Sequence, residues 1–114
     1  MRYALLIHVD EKLYHQMSKE EGDANLAAYN TFGERHKEKI LGGDALQGVA
    51  MAKTVQVRGG KTLTTDGPFA ETKEQLNGFY LVECGNLDEA VELASRIPDA
   101  VRGTIEVRPV MTFN

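Results

Sequence analysis

Thr65-Asp66-Gly67-Pro68-Phe69-Ala70-Glu71-Thr72-Lys73-Glu74-Gln75-Leu76 lies between two different strand signals, and its reading decides the fold. Upstream, Lys53-Thr54-Val55-Gln56-Val57-Arg58 alternates β-branched and polar residues, Gly59-Gly60 is a two-residue turn of the kind that closes hairpins, and residues 61–65 return. Downstream, Asn77-Gly78-Phe79-Tyr80-Leu81-Val82-Glu83 is aromatic and β-branched, as a core strand is. The segment therefore joins a polar hairpin that projects from the body to a strand inside it. Its chemistry predicts a rigid elbow. Asp66 can fix an Asx-type turn, Gly67 admits close approach, and Pro68 sets its own φ and keeps Gly67 out of the helical region. Phe69 is expected to plug an apolar pocket, and Thr72 to cap a short helical turn of Lys73, Glu74 and Gln75.

Working outward, residues 2–9 form a nearly continuous apolar run typical of a strand covered on both faces, with Tyr3, Leu5, Ile7 and Val9 on one side and Ala4, Leu6 and His8 on the other. Asp10-Glu11-Lys12 ends it. Ser18 with Glu21 reads as a capping box, and Leu26, Tyr29, Phe32, His36, Ile40 and Leu41 follow at helical spacing. The spacing predicts a helical region over residues 19–41, with a kink or break at Gly33 and a stop at Gly42-Gly43. Residues 45–49 are expected to be a short strand. Asn86 and Glu89 open a second helix whose apolar stripe is Leu87, Ala90, Val91, Leu93, Ala94 and Ile97, ended by Pro98. Residues 104–110 alternate as a last strand. On the strand at 77–83, alternation puts Leu76, Gly78, Tyr80 and Val82 on one face and Phe79 and Leu81 on the other.

This order is β-α-β-β-α-β with an inserted β-hairpin, an α+β ferredoxin-like sandwich in one domain over residues 1–114. Both helices cover one sheet face. The other needs a partner, most simply a second copy about a two-fold axis, so a homodimer is expected.

A net charge of −4 and a pI near 5.3 leave no basic footprint for direct nucleic-acid binding. Cys84 is the one cysteine, which rules out an intrachain disulfide and fits a reducing compartment. The apolar run at 3–9 is too short for a membrane span, so the expectation is a cytoplasmic protein with no membrane role. His8, His15 and His36 lack metal-ligand spacing, and the paired glycines read as stop and turn rather than as a phosphate loop, so neither metal nor cofactor is expected.

The elbow is also the candidate site. Asp66, with Glu71, Lys73 and Glu74 close behind, offers a carboxylate and an ammonium to one small ligand. Gly67, Pro68 and Phe69 would shape the binding surface beside Lys73 and Glu74. The expected catalytic set is Asp66 as base, Tyr80 as a phenolic donor, and His8, with His36 as its alternative, as proton carrier. Two functions fit these residues: a small-molecule binding or accessory module, and an enzyme doing proton-transfer or elimination chemistry without a cofactor.

The run 66–83, together with Gly42-Gly43-Asp44-Ala45-Leu46-Gln47, Thr54-Val55-Gln56-Val57-Arg58-Gly59-Gly60-Lys61 and Ile105-Glu106-Val107-Arg108-Pro109-Val110, resembles the DGPF branch of the YCII-related proteins over essentially the whole chain. The resemblance implies a ferredoxin-like dimeric α/β barrel and a setting linked to alternative sigma factors. In the wider group a His–Asp pair has been proposed as catalytic, and a few members resemble ring dehalogenases. Here the helix positions near that histidine hold Leu26 and Tyr29, and Asp99 follows Pro98 near the place of the aspartate.

Overall fold

The computed structural model describes residues 1–113. Strand β1 (Arg2–Val9) lies inside a four-stranded antiparallel sheet of order β2-β5-β1-β6, where β2 is Ile40–Ala45, β5 is Gln75–Glu83 and β6 is Thr104–Pro109. Counting only these four, the order is 2-3-1-4, the ferredoxin-like arrangement of two interleaved β-α-β units. The hairpin β3 (Lys53–Arg58) and β4 (Lys61–Asp66) forms its own two-stranded sheet. Gly59 and Gly60 turn it with φ of +57° and +77°, the left-handed pair a tight hairpin turn requires.

One sheet face carries the core. Tyr3, Leu5, Ile7 and Val9 of β1 and Val82 of β5 meet Phe32 of α2 (Lys19–Arg35) and Ala90, Leu93 and Ala94 of α3 (Leu87–Ser95), with Ile97 just beyond. Both long helices start on the caps their sequence offers. Ser18 Oγ accepts from Glu21 N at 3.1 Å while Glu21 returns the bond to Ser18 N at 3.0 Å, and Asn86 Oδ1 accepts from Glu89 N at 2.8 Å.

Several expectations are corrected. Helix α2 runs straight through Gly33 and ends at Arg35, not near Leu41, and Ile40–Ala45 is strand. Gly42-Gly43 is not a helix stop. Gly43, at φ +149°, sits opposite Tyr80, and a Cβ there would lie 2.3 Å from the Phe79 carbonyl oxygen. The pair serves close strand pairing at a bulge, which a helix-stop pattern in sequence does not distinguish. Residues 45–49 are not a strand; β2 ends at Ala45 and Val49–Met51 is a single 3-10 turn. An unanticipated helix, α1 (Glu11–His15), follows β1 directly, because Asp10 caps it by accepting from Lys12 N at 3.0 Å. Helix α3 stops at Ser95, and Pro98 instead opens a 3-10 turn, Pro98–Val101. Thr72 caps no helix: its hydroxyl donates to the Glu74 carbonyl at 2.5 Å in a bend, and β5 begins at Gln75. A register shift between Ile7 and His8 turns Leu76 onto the face opposite Gly78, Tyr80 and Val82.

Phe69 plugs nothing within the chain and is 88% exposed. The outer sheet face holds half-buried Ala4, Leu6, Phe79 and Leu81. The molecule is a slab, 48 × 47 × 19 Å, with a radius of gyration of 16.1 Å. A compact chain of this length would show about 13 Å. The projecting hairpin and the thin two-layer body, bare on its outer sheet face, account for the excess.

Candidate functional site

The 3-10 turn after α3 pushes Asp99 to 0% exposure. The turn closes tightly, with Gly103 N donating to the Asp99 carbonyl at 2.7 Å, and a Cβ on Gly103 would lie 2.2 Å from the His8 carbonyl oxygen, so only glycine fits. Burying a lone carboxylate costs several kcal/mol. Asp99 is met by three donors. Tyr14 of α1 and Tyr29 of α2 both donate to Oδ2, Tyr29 at 2.6 Å, and Arg102 Nη1 donates to Oδ1 at 2.8 Å. Arg102 Nη1 also donates to Asn25 Oδ1 at 2.9 Å, and Asn25 Nδ2 donates to the Tyr14 hydroxyl at 3.1 Å. Five side chains from three elements thus form one closed network. Burial, then the hydrogen bond to Asp99, then its charge push the Tyr14 phenol up to about 12, and the same causes in the same order raise Tyr29. Both phenols stay neutral near pH 7 and act as hydrogen-bonding groups, not as tyrosinate bases.

Tyr14, Asn25 and Tyr29 form the polar end of a cavity of about 560 Å³ between α2 and the β2 side of the sheet. The volume is in the range of small-molecule sites. Its other walls are mostly apolar or lack side chains (Ile7, Leu26, Ala45, Phe79 and Tyr80, with Gly22, Gly43 and Gly78), and the polar Asp44 and Asn77 also border it. The Tyr80 ring lies 5.2 Å from that of Phe32, and burial raises its phenol too. Asp99 and Arg102 stand behind the two phenols rather than in the cavity wall. Each phenol spends its proton on Asp99 and keeps oxygen lone pairs, two on Tyr29 and one on Tyr14. Tyr14 and Tyr29 therefore present acceptors to an entering molecule, while the neutral Tyr80 phenol on the wall can also donate.

The residues singled out from sequence are dispersed. His8, Pro68, Phe69 and Glu74 border a second hollow of about 770 Å³ on the outer sheet face, walled also by Leu46, Val55 and Leu76. His8 Nδ1 lies 3.2 Å from the Leu6 carbonyl oxygen, and Glu74 Oε1 accepts from the Thr104 hydroxyl at 2.7 Å. Asp66 ends β4 with its side chain 85% exposed and paired with Lys53, and it borders neither large hollow. Gly67, at φ +95°, donates its N–H to the Ala52 carbonyl at 2.8 Å. Lys73 borders a shallow depression of about 230 Å³ with Asp10, Glu11, Lys12 and His15. Tyr80 faces the α2 cavity, on the other side of the sheet from His8. Asp66, His8 and Tyr80 are thus not brought together within one chain. His36 caps the end of α2 against the Phe32 ring at 4.9 Å, and burial lowers its pKa.

Sequence reasoning missed Tyr14, Asn25 and Arg102. The available signals were Asp10 as a helix cap, which would have placed Tyr14 on a helix, and Asn25 and Tyr29 on one face at i and i+4. Among the described residues no three His, Cys, Asp or Glu side chains converge as metal ligands, and no helix is long and apolar enough to cross a membrane.

A two-layer α+β body with one antiparallel sheet, and with a hydroxyl-lined cavity under its longest helix, defines the structural class. The chain belongs to the YCII-related domain family, whose profile matches residues 1–114. An uncharacterized protein of Rhizobium meliloti (strain 1021), R00369, is 38% identical over 117 residues, covering 99% of this chain and 94% of that protein. Among solved structures, 5-chloro-2-hydroxyhydroquinone dehydrochlorinase (TftG) from Burkholderia phenoliruptrix AC1100, in complex with 2,5-dihydroxybenzoquinone, superimposes with a TM-score of 0.58 at 17% identity, covering 97% of this chain and 94% of that one. At that identity the likeness speaks for the fold alone.

Proposed function

We propose that the protein binds a small, largely apolar ring compound bearing a hydroxyl group, in the cavity between α2 and the β2 side of the sheet. The observation that carries this reading is the commitment of both phenol protons to Asp99. The Tyr14 and Tyr29 oxygens can then accept from a ligand hydroxyl but have no proton free for a ligand carbonyl or carboxylate. The largely apolar walls suit a ring. Titration with phenol, hydroquinone, toluene and benzoate tests it. The hydroxylated rings should bind tightest, and Tyr29→Phe should weaken them by about 3- to 10-fold, the worth of one hydrogen bond. Equal affinity for toluene and phenol, or an unchanged Tyr29→Phe, would overturn the reading. In a sigma-factor-linked setting the bound molecule would act as a signal.

An enzyme doing acid–base chemistry without a cofactor is the second reading. The relay favours it: a bound hydroxyl can pass its proton to Tyr29 while Tyr29 passes its own to Asp99, leaving an oxyanion on the ligand. The quinone bound to the dehydrochlorinase of the same fold makes quinols the substrates to try first. Asp66, exposed on a single chain, serves as base only if a partner subunit closes over it. Turnover lost in Asp99→Asn but kept in Asp66→Asn would assign the relay, and the reverse would assign Asp66.

A second copy on the outer sheet face completes the proposal, giving the dimeric barrel. The half-buried Leu6, Phe79 and Leu81 and the exposed Phe69 and Leu76 form an apolar surface on the outer face that the two-layer slab, 19 Å thick, leaves uncovered.

A further inference from the structure

The geometry points to Gly22 as the residue that sets the size of ring substituent the cavity accepts, an inference that rests on the cavity's being the ligand site. Three glycines line this cavity, and two have a structural cause. A Cβ on Gly43 would lie 2.3 Å from the Phe79 carbonyl oxygen, and one on Gly78 would lie 3.0 Å from that of Asp44. Gly22 has no such cause. A Cβ there would meet no heavy atom within 4 Å, yet glycine inside a helix is among the least favourable choices.

Its position sharpens the point. With Ser18 as N-cap, Gly22 is the fourth helical residue and donates its N–H to the Ser18 carbonyl at 2.9 Å. In the usual packing at a helix start, the residue before the cap, here Met17, packs against an apolar side chain at this fourth position. The chain leaves that position empty on the cavity side. Gly22 precedes Asn25 by three residues, about 4.5 Å along the helix axis. It thus flanks the place where a ring hydroxyl would meet the tyrosines. A substituent on that ring can occupy the space beside Gly22, while an unsubstituted ring does not need it.

Gly22→Ala and Gly22→Leu test this against phenol, hydroquinone and 2-tert-butylhydroquinone, with Tyr29→Phe as the report on the site itself. Gly22→Ala should raise Tm by about 4 °C, the usual effect of removing a helix glycine from a domain of this size. Both Gly22 variants should weaken phenol binding far less than binding of the bulky ring. Affinity for 2-tert-butylhydroquinone should fall several-fold in Gly22→Ala and at least tenfold in Gly22→Leu. Unchanged affinity for the bulky ring in both variants, with Tyr29→Phe still weakening all three ligands, would overturn the role of Gly22 and leave the site standing. If no member of the series binds the wild type saturably, or if Tyr29→Phe changes nothing, the site and the inference fall together.

Discussion

Replacing Asp99 by Asn removes one charge and almost no volume, so it isolates what the buried carboxylate does. In the wild type the carboxylate accepts from Tyr14, from Tyr29 at 2.6 Å and from Arg102 at 2.8 Å, at 0% exposure. A hydrogen bond to a charged group is worth about 1.5–3 kcal/mol and a neutral one about 0.5–1.5, so three bonds each lose about 1 kcal/mol. The total of about 3 kcal/mol is at the low end of the cost of breaking a buried ion pair, about 3–5 kcal/mol. At about 4 °C per kcal/mol for a domain of this size, Tm should fall by about 12 °C. Thermal unfolding followed by circular dichroism reads it. Asp66→Asn is the internal control, since its exposed pair with Lys53 is worth under about 1 kcal/mol. A double-mutant cycle of Asp99→Asn with Tyr29→Phe should show a coupling of about 1–2 kcal/mol. A loss below about 1 kcal/mol in Asp99→Asn, or additive single variants, would refute the idea that this network ties α1, α2 and the 98–101 turn together.

Three further outcomes are expected. The Tyr14 phenol titrates near 10 unfolded and at about 12 folded, so its contribution is fully present below pH 10 and is lost as pH rises through 12. For this half-buried group the loss is about 1 kcal/mol after allowing for solvent screening, and urea unfolding at pH 9 and 11.5 should show a smaller alkaline loss in Tyr14→Phe than in wild type. Gly43→Ala, which forces a side chain onto the Phe79 carbonyl at φ +149°, should cost about 2 kcal/mol or more by thermal unfolding, whereas wild-type stability would show that β2 shifts freely. Light scattering should report a dimer at micromolar concentration that Leu6→Glu converts to monomer; a wild-type monomer would remove the second copy from the outer face.

Local chemistry made much of the fold legible. The capping box at Ser18 and Glu21, the Asn86 cap, the Gly59-Gly60 turn and the inward Tyr3, Leu5, Ile7 and Val9 are decided within a few residues of themselves. The errors fall where distant pairing decides. Gly42-Gly43 after a helical pattern resembles a C-terminal stop, and only the approach of β5 makes it strand. Leu76 changes face because of one register shift against β1. The polar network was hidden for the same reason: Tyr14 and Asp99 are 85 positions apart, and the turn that buries Asp99 is held against the β1 backbone. A large aromatic such as Phe69 is usually buried, yet within one chain it stands in the open.

In the proposed site, Tyr14, Asn25 and Tyr29 mark the ligand-facing end of the cavity under α2. Backbone amide NMR during titration with hydroquinone tests it most directly. Saturable shifts are expected at Gly22, Asn25, Tyr29, Gly43 and Gly78, weakened in Tyr29→Phe. Shifts confined to His8, Phe69 and Leu76 on the opposite face would contradict it.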